Sequence, residues 1–196
     1  MVKNTKLMEM ASDSLDGKWG LAIGTMVVYM VISISIQTIP MGSVAWLIVG
    51  GPFSLGVAIF SLSISRNQEG KLEQIFYGFN NFTTTLGAYL LMILYIFLWA
   101  LLLVIPGIMA ALSYSMIFYI IADEPGIGAK AALDKSKNMM YGYKWKLFGL
   151  WLMFLGLALI CVLTLGIGFL WFIPFVNVTM AKFYDDVKLE IAAGNI

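Results

Sequence analysis

The stretch WGLAIGTMVVYMVISISIQTIPMGSVAWLIVGGPFSLGVAIFSLSIS, residues 19–65, contains no charged residue over 47 positions. Two further stretches share this property: residues 74–122, of 49 residues, and residues 147–181, of 35 residues. A helix of 35 residues would be about 52 Å long, whereas the hydrocarbon core of a bilayer is about 30 Å thick. Each stretch therefore predicts two membrane-spanning helices joined by a turn, which makes six in the chain.

The composition supports an all-α integral membrane protein. Apolar residues make up 61% of the chain and charged residues only 12%, about half the charge of a soluble domain. A net charge of +1 gives no basic excess for nucleic acid. The chain has no histidine and one cysteine, Cys161, which excludes imidazole chemistry and an internal disulfide. We expect no cofactor and no metal.

Helix-breaking residues lie where the three turns are needed. They are Pro40 with Gly42, Pro106 with Gly107, and Gly166 with Gly168. The six spans are predicted at residues 19–38, 44–65, 83–105, 107–122, 147–164 and 168–184.

The positive charges predict the orientation. All 12 Lys and Arg residues lie outside the three charge-free stretches. With an even number of spans, every charged segment falls on one side, and the positive-inside bias makes that side cytoplasmic. We expect a bacterial cytoplasmic membrane protein with both termini in the cytoplasm. The first hydrophobic stretch lacks a signal-peptide pattern, so it is expected to be retained.

Each charged segment shows apolar residues at helical spacing, which predicts an amphipathic interfacial helix before each hairpin. The second segment has the most regular pattern. The three faces comprise Leu7, Met8, Ala11 and Leu15; Leu72, Ile75, Phe76, Phe79 and Phe82; and Ala129, Ala132, Leu133, Met140 and Tyr143. Residues 5–65, 71–122 and 128–186 thus predict a threefold internal repeat within one polytopic domain, residues 1–196.

Several blocks of sequence carry a family resemblance. They are GGPFSLG at residues 50–56, IPGI at 105–108, YSM at 114–116, YIIAD at 119–123, YKWKLF at 143–148 and LTLGIG at 163–168, continued by Trp171 and Pro174. In this order they resemble the bacterial membrane family called domain of unknown function 975. The resemblance implies a cytoplasmic membrane protein distantly similar to the membrane domain of some glycerophosphodiester phosphodiesterases. It implies no catalytic motif.

Polar residues and prolines inside the spans are the candidate ligand site. Pro52 and Pro174 each free a backbone carbonyl and bend a helix, and the Asn177 amide needs a partner in hydrocarbon. Helix packing is the alternative for all of them. The groove candidates are Gly51, Pro52, Ser54, Ser113, Tyr114, Pro174 and Asn177.

Charged residues supply a second set of candidates. Lys135, Lys137, Lys144 and Lys146 cluster in one cytoplasmic segment and are candidates for contact with anionic lipid, although anchoring of the topology alone also explains them. Carboxylates such as Asp123 and Asp186 have no spacing that indicates a metal or an acid–base pair.

Three functions remain open at this point. The first is a non-enzymatic protein that binds, senses or transports a lipid or an amphipathic peptide of antimicrobial type, for example in bacteriocin immunity. The second is an accessory subunit that docks a transporter or cell-envelope enzyme. The third is a lipid head-group enzyme that uses Asp123 and Asp186. The expected partners are membrane lipids, a hydrophobic peptide or a membrane protein. Gly20 and Gly24 have the spacing of a helix–helix contact between small residues, so an oligomer also remains open.

Overall fold

The computed structural model describes residues 1–194, which are largely helical and contain no β-strand. This confirms the all-α fold class. The elements are α1 (Asn4–Leu15), α2 (Trp19–Thr38), α3 (Gly42–Ser65), a 3-10 helix (Leu72–Asn81), α4 (Phe82–Leu102), α5 (Val104–Tyr114), α6 (Ile117–Asp123), α7 (Ala129–Met139), α8 (Lys144–Leu163) and α9 (Phe169–Ala192).

Five helical segments within residues 1–194 are long and apolar enough to cross a membrane. They are Trp19–Thr38, Gly42–Ser65, Leu72–Leu102, Val104–Asp123 and Lys144–Leu163. This supports a membrane protein. The predicted sixth span, residues 168–184, lies in α9, and it does not meet the same criterion. The charge-free part of α9 ends at Ala181 and is about 20 Å long, and Lys182 lies inside the predicted limits.

The second turn differs in detail from the sequence prediction. The chain turns at Leu103, which is extended between α4 and α5, and Pro106 lies inside the first turn of α5. Proline is tolerated there because the first backbone N–H groups of a helix have no partner within it. Gly107 has a different role: an added Cβ would lie 2.9 Å from the Ala100 backbone, so glycine permits the close approach of α4 and α5.

A break in the helix separates α5 from α6. One serine of α7 provides hydrogen-bond partners for the backbone groups at this break. Ser136 is fully buried, and its hydroxyl donates to the Ser113 carbonyl at 2.8 Å. The same oxygen accepts from the Met116 backbone N–H at 3.3 Å. Both backbone groups flank the break, where they would otherwise be unpaired in an apolar interior.

Two helical segments form the centre of the fold. The apolar windows of Gly42–Ser65 and Val104–Asp123 are 67% and 56% buried, whereas those of Trp19–Thr38 and Lys144–Leu163 are each 17% buried. The outer helices therefore expose large apolar side chains, including Val31 and Ile34 on α2 and Leu152 and Leu159 on α8. Exposed apolar belts of this size are typical of lipid-facing helices.

The second amphipathic segment differs from the predicted α-helix. It forms a 3-10 helix, which has three residues per turn. Ile75 and Gly78, spaced by three, are therefore the buried positions, while Leu72, Phe76 and Phe82 are more than one third exposed.

The other two amphipathic faces agree better with the sequence. Leu7, Ala11 and Leu15 of α1 are buried, as are Ala132 and Leu133 of α7. Met140 is also buried, and Met8, Ala129 and Tyr143 are half-buried.

The 3-10 helix crosses α3 in direct backbone contact. A Cβ on Gly56 would overlap the Ile75 carbonyl, and one on Gly78 would overlap the Pro52 carbonyl. Both obstacles are backbone atoms, which cannot move aside as a flexible side chain can. Glycine at these two positions therefore determines how closely the elements pack.

We expect Gly56→Ala to lower the free energy of unfolding by about 2 kcal/mol, because the added methyl overpacks this crossing. Gly24→Ala is the matched control: nothing lies within 4 Å of its Cβ position on α2, so it should be neutral or stabilising by up to about 1 kcal/mol. Denaturation of the detergent-solubilised variants measures both. Equal stability of the two variants would contradict the close crossing.

Candidate functional site

The seven groove candidates do not line one common groove. Ser54 and Asn177 line one cavity, and Ser113 and Tyr114 line another. Gly51 and Pro52 are buried against neighbouring helices: the Cβ position of Gly51 is 2.8 Å from the Thr85 carbonyl oxygen. Neighbouring side chains and backbone therefore fill the space beside Gly51 and Pro52.

The first cavity lies among α2, α3, α6 and α9 and has a volume of about 240 Å³. Its walls are mostly apolar, with a few hydroxyl and amide groups. The lining residues are Met26, Tyr29, Ser54, Val57, Ala58, Phe118, Tyr119, Ile173 and Asn177. We call it the Asn177 cavity. Pro174, three residues before Asn177, is buried.

Three polar side chains of the Asn177 cavity bond to backbone carbonyls. Asn177 Nδ2 donates to the Ile173 carbonyl at 2.8 Å, and the Ser54 hydroxyl donates to the Gly50 carbonyl at 2.8 Å. The Tyr119 hydroxyl donates to the Asn177 carbonyl across a longer 3.5 Å. Asn177 thus has the protein partner that an intramembrane amide needs. Tyr119 was not among the seven groove candidates, although it is polar and within a predicted span.

The second cavity lies along α5 and has a volume of about 180 Å³. Its lining combines α5 with Trp99 of α4 and two lysines from the α7–α8 region. The residues are Trp99, Pro106, Met109, Ala110, Ser113, Tyr114, Lys137 and Lys144. We call it the Lys137–Lys144 cavity.

The four lysines proposed for lipid contact have different surroundings. Lys135 forms an ion pair with Glu124, and Lys146 forms one with Asp186 at 3.0 Å. Lys137 and Lys144 line the second cavity instead. The sequence placed the four together but could not distinguish the paired from the unpaired ones.

An ionic cluster joins the C-terminal ends of α3 and α6 to the C-terminal half of α9. The guanidinium of Arg66 donates to Asp123 at 2.7 and 3.0 Å and to Asp185 at 2.7 and 3.2 Å. Asp123 also accepts from Lys188 at 2.6 Å and from the Tyr184 hydroxyl at 3.1 Å. The two bidentate contacts make this a strongly directional junction.

Arg66 is the only arginine in the sequence. Its hydrogen bonds to Asp123 and Asp185, opposed in part by burial, raise the pKa of Arg66 above its usual value. Arginine suits this position because its planar fork serves two carboxylates, which a lysine cannot match. No sequence motif indicated the cluster; the one signal was that Arg66 and Asp123 each directly follow a predicted span.

The remaining carboxylate named from the sequence, Asp186, also has hydrogen-bond donors, one of them a lysine. Asp186 accepts from the Val2 backbone N–H at 3.2 Å and from Lys146 at 3.0 Å. Among residues 1–194, no group of three or more Cys, Asp or Glu side chains is placed to hold a metal ion. Asp123 and Asp186 are therefore both occupied in helix-to-helix contacts.

We expect Arg66→Gln to lower the free energy of unfolding by about 2 kcal/mol, because Asp123 and Asp185 lose charged hydrogen bonds in a partly buried site. Lys71→Gln is the control: this lysine is 60% exposed and 4.0 Å from Glu69, so the change should be under about 0.5 kcal/mol. Thermal denaturation in detergent compares the two. A loss no larger for Arg66→Gln would show that the cluster does not stabilise the fold.

Comparison with known proteins identifies the family. The model of a family described as "Protein of unknown function (DUF975)" matches residues 1–106 and 100–190, which confirms the resemblance found in the sequence. No curated protein and no solved structure matches the chain, so the similarity to glycerophosphodiester phosphodiesterases is not shown. The match extends over nearly the whole chain, and the protein is therefore a member of the DUF975 family.

Proposed function

We propose that the chain spans a bacterial cytoplasmic membrane six times, with both termini in the cytoplasm. Five apolar segments support this directly, and α9 is the proposed sixth span. Lys182 is consistent with a crossing because it lies at the charged end of α9, where it donates to the Ser65 carbonyl at the end of α3. Its long side chain can reach the interface while its stem stays in an apolar environment.

We also propose three repeated units, each a short helix followed by a helical hairpin. Contacts between α2 and α3, between α4 and α5, and between α8 and α9 support the pairing of the long helices. Gly17 and Gly142 have positive φ values of 70° and 84° at the ends of α1 and α7. These matching junctions support the first and third units, whereas the corresponding Gly78 lies inside the 3-10 helix.

Impermeant maleimide labelling in intact bacteria tests the topology, in a Cys161→Ser background. Met41→Cys and Leu165→Cys, at residues 74% and 94% exposed in two of the three outer turns, should react. Lys71→Cys, Lys135→Cys and Gly194→Cys should react only after permeabilisation. Labelling of Gly194→Cys in intact cells would mean that α9 does not complete a sixth crossing.

We propose that the protein is non-enzymatic and binds a lipid or an amphipathic peptide of antimicrobial type within the membrane. The observation that carries this proposal is the Asn177 cavity, an apolar space among four helices with a few orienting polar groups. Binding sites for amphiphilic molecules have this composition. The ion pairs of Asp123 and Asp186 support a structural role for the carboxylates that a head-group enzyme would need.

We expect Asn177→Leu to reduce ligand binding several-fold while the protein still folds, because leucine removes the polar contact and alters the cavity wall. The probe is a phospholipid with a photoactivatable acyl chain, in nanodiscs that contain the full chain. Cross-linked peptides are located by mass spectrometry, and competition by a synthetic cationic amphipathic peptide distinguishes the two ligand classes.

Gln37→Leu is the matched control. Gln37 also donates its amide to the carbonyl four residues earlier, Ser33, at 3.4 Å, but it lies near the outer end of α2 and is exposed. Cross-linking should persist in this variant. If Asn177→Leu lowers expression and cross-linking in parallel, Asn177 is a packing residue; a stoichiometric protein partner without cross-linked lipid would favour the accessory subunit.

A further inference from the structure

The Lys137–Lys144 cavity has two chemically different ends. Pro106, Met109 and Ser113 follow one another along α5 at spacings of three and four, which places them on one face of the helix over about 10 Å. Trp99 lines the same cavity as Pro106, while Lys137 and Lys144 line it with Ser113 and Tyr114. The cavity thus has an apolar wall at its Trp99 end and a cationic mouth at its Lys137 and Lys144 end.

Lys137 and Lys144 differ from three nearby lysines in their ionic contacts. Lys135, Lys146 and Lys188 each form an ion pair with a carboxylate at the helix ends. Lys137 and Lys144 have no ion pair or hydrogen bond from their side chains within residues 1–194. Lys144 is half-buried, so its charge lies close to apolar surface without an ion-pair partner. An anion in the cavity mouth would stabilise both charges.

Tyr114 adds a hydrogen-bond donor to this mouth. Its ring stacks on Tyr95 with centroids 5.9 Å apart, and its hydroxyl has no hydrogen-bond partner within the described chain. The Ser113 hydroxyl is different, since it donates to the Met109 carbonyl at 2.7 Å. One free hydroxyl and two free ammonium groups therefore line the same end of the cavity.

We propose that the Lys137–Lys144 cavity binds one anionic phospholipid, with the phosphate between the two lysines and an acyl chain along Met109, Pro106 and Trp99. A volume of about 180 Å³ equals that of about six water molecules. It suits a phosphate, the adjoining glycerol and the first methylene groups of an acyl chain, with the remaining lipid in the bilayer. The inference rests on the proposed membrane location and is independent of the Asn177 cavity.

The apolar end of the cavity favours a lipid over a soluble anion. A free phosphate would use the lysines but leave the Trp99 and Met109 end empty, whereas an acyl chain covers this apolar surface. A zwitterionic lipid carries its own cation, which the two lysines would repel. The site should therefore select an acidic head group attached to an acyl chain.

Native mass spectrometry of the full chain in nonionic detergent tests this selection. The probes are dioctanoyl phosphatidylglycerol, its phosphatidylcholine counterpart, and inorganic phosphate. We expect one phosphatidylglycerol to bind about 30-fold more tightly than phosphatidylcholine, which is the effect of two lysines near an anionic group. The double variant Lys137→Gln, Lys144→Gln should lose most of this preference.

Lys3→Gln with Lys130→Gln is the matched control, because it removes the same charge from two exposed lysines that do not line this cavity. The preference should persist there, and both double variants should keep the wild-type melting temperature. Equal losses in the two would show general charge attraction and overturn the site. Displacement of the lipid by millimolar phosphate would also overturn the proposal of a lipid ligand. A result for Asn177→Leu bears only on the other cavity.

Discussion

The cost of placing a charge in hydrocarbon is the constraint on which the structure depends. It confines every acidic and basic side chain to the ends of the long helices or to the short helices between them, and leaves stretches of 35 residues or more uncharged. Several of the charges brought together in this way form ion pairs. Arg66 and Asp123 at the ends of α3 and α6 meet Asp185 in the C-terminal half of α9. The same restriction that separates charges from the apolar segments therefore creates the contact that joins three helices.

The apolar part of the molecule is held by close backbone contact and by apolar burial. Gly56 and Gly78 let the 3-10 helix cross α3 without side chains between them, as is typical where helices cannot rely on a large hydrophobic driving force. The break between α5 and α6 is stabilised differently, by the buried Ser136 hydroxyl. Backbone groups are thus satisfied even where the helical pattern stops.

Two cavities remain after this packing, and their chemistry differs. In the Asn177 cavity the amide and the hydroxyls already bond to carbonyls, so a ligand there would be held mainly by shape and apolar contact. In the Lys137–Lys144 cavity the cations lack a partner within residues 1–194, and an anion would gain a charge-assisted interaction. The proposed amphiphilic ligands match this difference, because their two ends have different chemical requirements.

The sequence by itself determined the helical class, the apolar segments and the family. The helix α2 begins and ends at the predicted residues 19 and 38, because periodicity, charge and helix breakers are local properties. It also found Ser54, Asn177, Lys137 and Lys144 as candidates by residue type. Only the tertiary structure decided that Gly51 packs against α4, that Ser54 and Asn177 share a cavity, and that Lys135 and Lys146 are paired while Lys137 and Lys144 are not. These outcomes depend on contacts between residues 11 to more than 120 positions apart, and no local pattern records which helices will be neighbours.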